Sequence, residues 1–111
     1  MDRYLIWFDP ADSHRDLELA SAVHDWLEHL RQASVIEGWS LTRRKLGFGP
    51  AELGEFQVEI RVRNLSQLDL AFGQAAARSG PAEDLHRAVY SRVKNFKSAL
   101  YRDFPDPQRA G

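Results

Sequence analysis

The sequence has no cysteine, almost no net charge and no long apolar run. Without cysteine it can form no disulfide, no thiolate metal site and no cysteine nucleophile. Its 15 basic and 16 acidic residues give a net charge of −1, whereas dedicated nucleic-acid-binding domains are normally basic. The apolar run from Tyr4 to Phe8 is too short for a signal-peptide core or a membrane span. We therefore expect a cytoplasmic protein that binds neither nucleic acid nor membrane.

The composition that remains is that of an ordinary globular domain. The chain has 111 residues, of which 43% are apolar and 28% charged, and this length fits one domain with a thin core. The sequence predicts a single domain over residues 1–104. The last residues, 105–111, are rich in proline and polar side chains and are expected to form a frayed tail.

Three segments have the pattern of strands. Tyr4 to Phe8 is aromatic and branched, and Val35 to Lys45 is bounded by polar and glycine-rich residues. Glu55 to Arg63 alternates with period two. Its apolar side consists of Phe56, Val58, Ile60 and Val62, and its polar side of Gln57, Glu59, Arg61 and Arg63.

Helical patterns fill the segments between these strands. From Arg15 to Ala33 the apolar residues recur along one helical stripe, and Ser13 is the expected cap. Asn64, followed by Gln67 three residues later, predicts a second helix start. Pro81 has the preferred position for opening a further helix.

The segment from Phe96 to Phe104 fits either a continued helix or a fourth strand. The order of the other elements favours a strand, because a strand here completes the β-α-β-β-α-β pattern of a ferredoxin-like fold. The sequence thus predicts an α+β sandwich with a four-stranded antiparallel sheet.

Three stretches resemble a small family of uncharacterised bacterial proteins in the dimeric α/β-barrel superfamily: residues 15–47, 52–56 ("ELGEF") and 99–107 ("ALYRDFPDP"). That superfamily is ferredoxin-like and includes stress-responsive barrel proteins and antibiotic-biosynthesis monooxygenases. The resemblance implies a homodimer that pairs through its sheet faces to form a dimeric α/β barrel. It brings no catalytic motif that can be placed on residues of this chain.

In such a barrel the polar side of the strand Glu55 to Arg63 would be enclosed and would need partners. The hypothesis is a pocket for a small aromatic or anionic metabolite, with guanidinium groups holding a carboxylate. In the second strand, Trp39 and Arg43 alternate with Ser40 and Thr42, and we place the Trp39 side on the open face of the sheet. The candidate ligand-binding residues are Trp7, Trp39, Arg43, Gln57, Glu59 and Arg61.

A second interpretation needs no ligand. Glu59 could form cross-strand ion pairs with the neighbouring arginines, which are common and weak. The protein would then be a non-catalytic structural or dimerisation module.

The histidines indicate neither a metal site nor a cofactor. His24 and His29 are five residues apart, so they do not form the i, i+4 pair of a zinc helix. His14 follows the first strand and is the weak candidate for an acid–base residue. The glycine-rich loop at residues 47–54 lacks the Lys-Ser/Thr pair of a phosphate-binding loop.

Overall fold

A computed structural model of the protein describes residues 1–105, so the predicted frayed tail lies outside the described residues except for Pro105. The regular elements, in chain order, are β1 (Asp2–Pro10), α1 (Asp16–Gln32), β2 (Gly38–Arg43), β3 (Phe56–Val62), α2 (Leu65–Ala75), α3 (Gly80–Tyr90) and β4 (Val93–Arg102). A 3₁₀ turn at Ser13–Arg15 precedes α1.

The four strands form one antiparallel sheet in the order β2-β3-β1-β4. The α+β prediction is therefore confirmed, and the ambiguous segment near the end of the chain is a strand. The connection from β3 to β4 contains two helices, where the simple pattern has one. The break between them lies at residues 76–79, and Gly80 has a positive φ of 87° that favours glycine.

The core lies between one face of the sheet and the helices. The alternation of β3 is complete, since its four apolar side chains are buried beneath the helices. The predicted stripe of α1 packs onto them through Leu19, Val23, Trp26, Leu27 and Leu30. The burial of this stripe and of the apolar side of β3 is the main contribution to the stability of the fold. The sequence pattern predicts both.

Two local predictions were wrong: the start of the second strand at Val35 and the capping of the first helix by Ser13. Val35 and Ile36 are buried in the core ahead of β2, because the backbone turns at Ser34 (φ 61°) and pairing with β3 begins only at Gly38. Ser13 does not cap the first helix. Asp12 instead accepts a hydrogen bond from the amide of His14 at 2.9 Å, at the start of the 3₁₀ turn.

The predicted cap of α2 is confirmed. The Asn64 side chain accepts a hydrogen bond from the amide of Gln67 at 2.9 Å. The buried Gln67 side chain donates through Nε2 to the Ser34 carbonyl at 3.1 Å and accepts through Oε1 from the Arg63 backbone amide at 2.7 Å. Gln67 thereby joins the end of α1 to the start of α2 without leaving a buried polar group unpaired.

The long β2–β3 loop is held against β1 by a backbone contact. A Cβ added at Gly54 would lie under 3.0 Å from backbone atoms of Phe8. The adjacent Glu55 amide donates to the Asp9 carboxylate at 2.8 Å, and Asp9 also accepts from Asn95 on β4 at 2.9 Å. The hydrogen bond from Asn95, with that from the Glu55 amide, lowers the pKa of Asp9.

We predict that Gly54→Ala destabilises the fold by about 1–3 kcal/mol, because the new methyl group has no space beside the Phe8 backbone. Gly73→Ala is the matched control, since a Cβ at that position in α2 meets nothing within 4 Å. It should instead stabilise the fold by about 0.5–1 kcal/mol. Denaturant unfolding at one fixed protein concentration measures both changes. Equal effects of the two substitutions would contradict this account of the loop.

Candidate functional site on the open face of the sheet

None of the helices within residues 1–105 covers the second face of the sheet. Residues directly opposite each other in the strand registers share a face, so the polar side of β3 defines which residues of the other strands belong to it. This open face comprises Arg3, Leu5 and Trp7 of β1, Ser40 and Thr42 of β2, Gln57, Glu59 and Arg61 of β3, and Lys97, Ala99 and Tyr101 of β4.

A charged network occupies one end of the open face, with Glu59 at its centre. Arg3 donates to Glu59 and to Asp103, each at 2.8 Å. Arg61 lies 3.4 Å from Glu59, and the Ser40 hydroxyl lies 3.5 Å from it. The hydrogen bond from Arg3 lowers the pKa of Glu59, and Arg61 adds to this effect. Arg3 likewise lowers the pKa of Asp103.

Arg61 is held less tightly than Arg3. Its contacts with Glu59 and with the Trp39 carbonyl are both 3.4 Å long. The guanidinium lies across Gly38, where an added Cβ would come within 2.6 Å of its Nη2 atom. Gly38 therefore leaves room for Arg61 to lie flat on the sheet, and the long contacts leave donor capacity for another acceptor.

The other end of the open face forms a groove of about 210 Å³. Trp7, Thr42 and Gln57 belong to its sheet side. Its wall is the β2–β3 loop, including Phe48 and Leu53. An aromatic floor beside amide and hydroxyl groups suits a small planar molecule.

The placement of Trp39 and Arg43 on the open face is wrong. In the β2–β3 register Trp39 is opposite Ile60 and Arg43 is opposite Phe56, and both of these partners face the helices. Alternation separates the two sides of a strand but does not say which side is covered. The apolar pair Trp39 and Leu41 packs against the core, and Ser40 and Thr42 are consequently directed to the open face.

Trp39 and Arg43 both have partners within the chain. Trp39 Nε1 donates to Glu28 of α1 at 2.8 Å. Arg43 contacts Glu55 at 2.8 Å and Asp16 at 3.3 Å, and its guanidinium lies 5.2 Å from the centre of the Phe56 ring. Arg43 also borders the groove from the sheet edge. Its guanidinium is more fully engaged by these contacts than the guanidinium of Arg61 is by its own. Of the six predicted ligand-binding residues, the open face thus brings together Trp7, Gln57, Glu59 and Arg61.

The four histidines lie apart from this face. His14 is exposed in the 3₁₀ turn, and His24 lies 3.2 Å from Asp25. His29 and His86 flank Trp26, with ring centres 6.0 and 5.0 Å from it. Within residues 1–105 no three potential metal-ligating side chains are gathered closely enough to hold an ion. The position of His86 among apolar side chains was not predicted, although the neighbouring stripe of Leu85 and Val89 could have indicated it.

The comparisons with known proteins identify a family and a fold. The profile of a family of unknown function, DUF6614, matches residues 1–111. The chain belongs to this family. No curated protein matches it in sequence.

A solved structure similar to this DUF6614 chain is the crystal structure of a dimeric protein of unknown function and ferredoxin-like fold from Bacteroides fragilis NCTC 9343. The two are 14% identical and superpose with a TM-score of 0.64, over 92% of this chain and 95% of the other. At this identity the likeness shows the fold alone, and that fold is ferredoxin-like.

The helices of this DUF6614 chain pack on the sheet. Between residues 1 and 105 none of them has the length and apolar character that crossing a bilayer requires.

The contact between Glu28 and Trp39 predicts a pH dependence of stability. Hydrogen bonds from Arg31 and then Trp39 lower the pKa of Glu28 to about 2. A lowered carboxyl pKa stabilises the folded state above the unfolded value, and this contribution is lost as the pH falls through the folded value. We predict that Glu28→Gln lowers the melting temperature at pH 7 and that the difference from wild type shrinks between about pH 4.5 and about pH 2.

Thermal unfolding followed by circular dichroism across this pH range measures the difference. Glu52→Gln, at an exposed position of the β2–β3 loop, is the control and should show little difference at any pH. If the deficit of Glu28→Gln were the same at pH 3 as at pH 7, the charge of Glu28 would not be its cause.

Proposed function

We propose that the open face is a homodimer interface, and that the two facing sheets enclose a site for a small aromatic or anionic metabolite. The observation that carries this proposal is Arg61, which lies on the open face and whose side-chain hydrogen bonds within residues 1–105 are both 3.4 Å long. Trp7 and Gln57 lie at the other end of the same face and supply a planar surface there. A guanidinium can hold a carboxylate and an aromatic ring can stack on another ring, so the face offers contacts for anionic and for aromatic molecules.

The composition of the open face supports pairing with a second copy. An exposed sheet face can remain polar in water, but this one also carries Leu5, Trp7 and Tyr101. Aromatic residues and arginine are enriched in protein interfaces. The similar structure from Bacteroides fragilis is described as dimeric, which favours the same assembly here.

The second candidate is a dimerisation module without a ligand. It is favoured by the ion pairs of the open face, because Arg3 and Arg61 are matched within the chain by Glu59 and Asp103. Two such networks could pair across a twofold axis and set the register of the dimer, with no further acceptor needed.

Benzoate binding separates the two candidates. The ligand site predicts that the wild-type dimer binds benzoate, measured by isothermal titration calorimetry. Arg61→Ala should weaken this binding at least tenfold, because a charge-assisted hydrogen bond is lost, and should leave the dimer intact in sedimentation analysis. Arg87→Ala is the matched control, since Arg87 pairs with Glu83 on α3, and it should bind benzoate as the wild type does.

Results that contradict these expectations show which of the two candidates is wrong. If Arg61→Ala weakens the dimer and wild type binds no benzoate, the open face is a pairing surface only. A monomer at micromolar concentration would remove the enclosed site and, with it, both candidates.

A further inference from the structure

The helix-covered side of the sheet contains an apolar space that the proposed function does not use. Two cavities of about 110 and 170 Å³ lie between the helices and the sheet. They have five lining residues in common: Ile6, Trp26, Ile60, His86 and Phe96. The two cavities therefore adjoin beneath α3, on the opposite side of the sheet from Arg61.

The arrangement of α3 explains why this space exists. α3 packs chiefly against α1 and only lightly against α2 and β4. No residue of α3 is fully buried, and Phe96 of β4 is 57% exposed at the edge of the space. Both spaces are open to solvent on one side, where Phe96, Tyr90 and Phe72 are about half exposed. The helices thus leave an apolar cleft on the sheet that a bound molecule would cover.

The lining restricts the chemistry of such a molecule. Aliphatic and aromatic side chains make up nearly all of the wall, so a charged group would lose its hydration without compensation. His86 is the polar exception in the part that both cavities share. An apolar cavity of about 150 Å³ is known to take up one benzene molecule. A ligand of this size has a single aromatic ring.

The imidazole of His86 adds one directional requirement. Burial lowers the pKa of His86, which favours the neutral ring. A neutral imidazole has one donor and one acceptor nitrogen. Because His86 lines both cavities, we assign its acceptor nitrogen to a donor group of the ligand.

We propose that the space between α1, α3 and the sheet is a second binding site, which takes an uncharged single-ring aromatic molecule bearing one hydrogen-bond donor such as a phenolic hydroxyl. The ring lies among Trp26, Ile60 and Phe96, and the donor binds His86. This site is independent of the open face and does not depend on the proposed function.

Phenol is the direct probe, and toluene is the matched probe without the donor. The full-length protein is titrated with each, and the indole signal of Trp26 and the imidazole signals of His86 are followed by NMR. Phenol should bind saturably and shift both sets of signals. Toluene should bind about threefold to tenfold more weakly, since one hydrogen bond is missing. Benzoate should not shift these signals, because its carboxylate would enter an apolar wall.

Two variants test the site itself. His86→Phe keeps an aromatic ring but removes the acceptor, so the preference for phenol should be lost or reversed, because the hydroxyl would have no partner. His24→Phe, at an exposed position of α1, should retain the preference for phenol. Ala75→Leu adds three carbons at the wall of the larger cavity and should abolish binding of both probes without lowering the melting temperature. Val89→Phe provides a second filling variant in the smaller cavity if Ala75→Leu fails to fold.

The outcomes distinguish this proposal from the one for the open face. Arg61→Ala should leave phenol binding unchanged, whatever it does to benzoate. The proposal is overturned if phenol produces no saturable shift of Trp26 and His86, or if His86→Phe retains the preference for phenol. A filled variant that folds and still binds both probes normally would also overturn it.

Discussion

The alternation of β3 is the constraint on which the rest of the structure depends. Phe56, Val58, Ile60 and Val62 must lie under the helices, because their burial forms the core. A strand has a period of two, so Gln57, Glu59 and Arg61 are forced to the opposite face. β1 and β2 pair on either side of β3 in registers that satisfy the same core. The polar open face therefore follows directly from how the core is made.

The open face combines paired charges with aromatic surface. Arg3 and Arg61 are paired with Glu59 and Asp103, which leaves Lys97 as the excess cation, so long-range attraction favours anions only weakly. In the proposed site, selection would instead come from short contacts, with the flat Arg61 over Gly38 at one end and Trp7 at the other. The helix-covered side differs in kind, since its unfilled space is apolar and His86 is the polar group that its two cavities share. One sheet thus separates two environments that suit chemically different molecules.

Much of the fold could be predicted because strong periodic patterns have few structural solutions. The stripe of α1, the alternation of β3 and the Asn64 cap each predicted an element that the structure contains. The side to which Trp39 and Arg43 point could not be derived from alternation alone, although Trp39 and Leu41 are more apolar than Ser40 and Thr42 and could have indicated the core. The space around His86 was beyond prediction, because it depends on how far α3 sits from β4 and no local pattern encodes that distance.

The central claim is that a second copy of the chain covers the open face. Hydroxyl-radical footprinting across a wide range of protein concentration tests it most directly, because it reports the solvent exposure of individual side chains. The account predicts that Trp7 and Tyr101 on the open face become several-fold less reactive as concentration rises, while Leu17, which is 80% exposed on α1, reacts at a constant rate. Equal reactivity of Trp7 and Tyr101 at all concentrations would contradict the account.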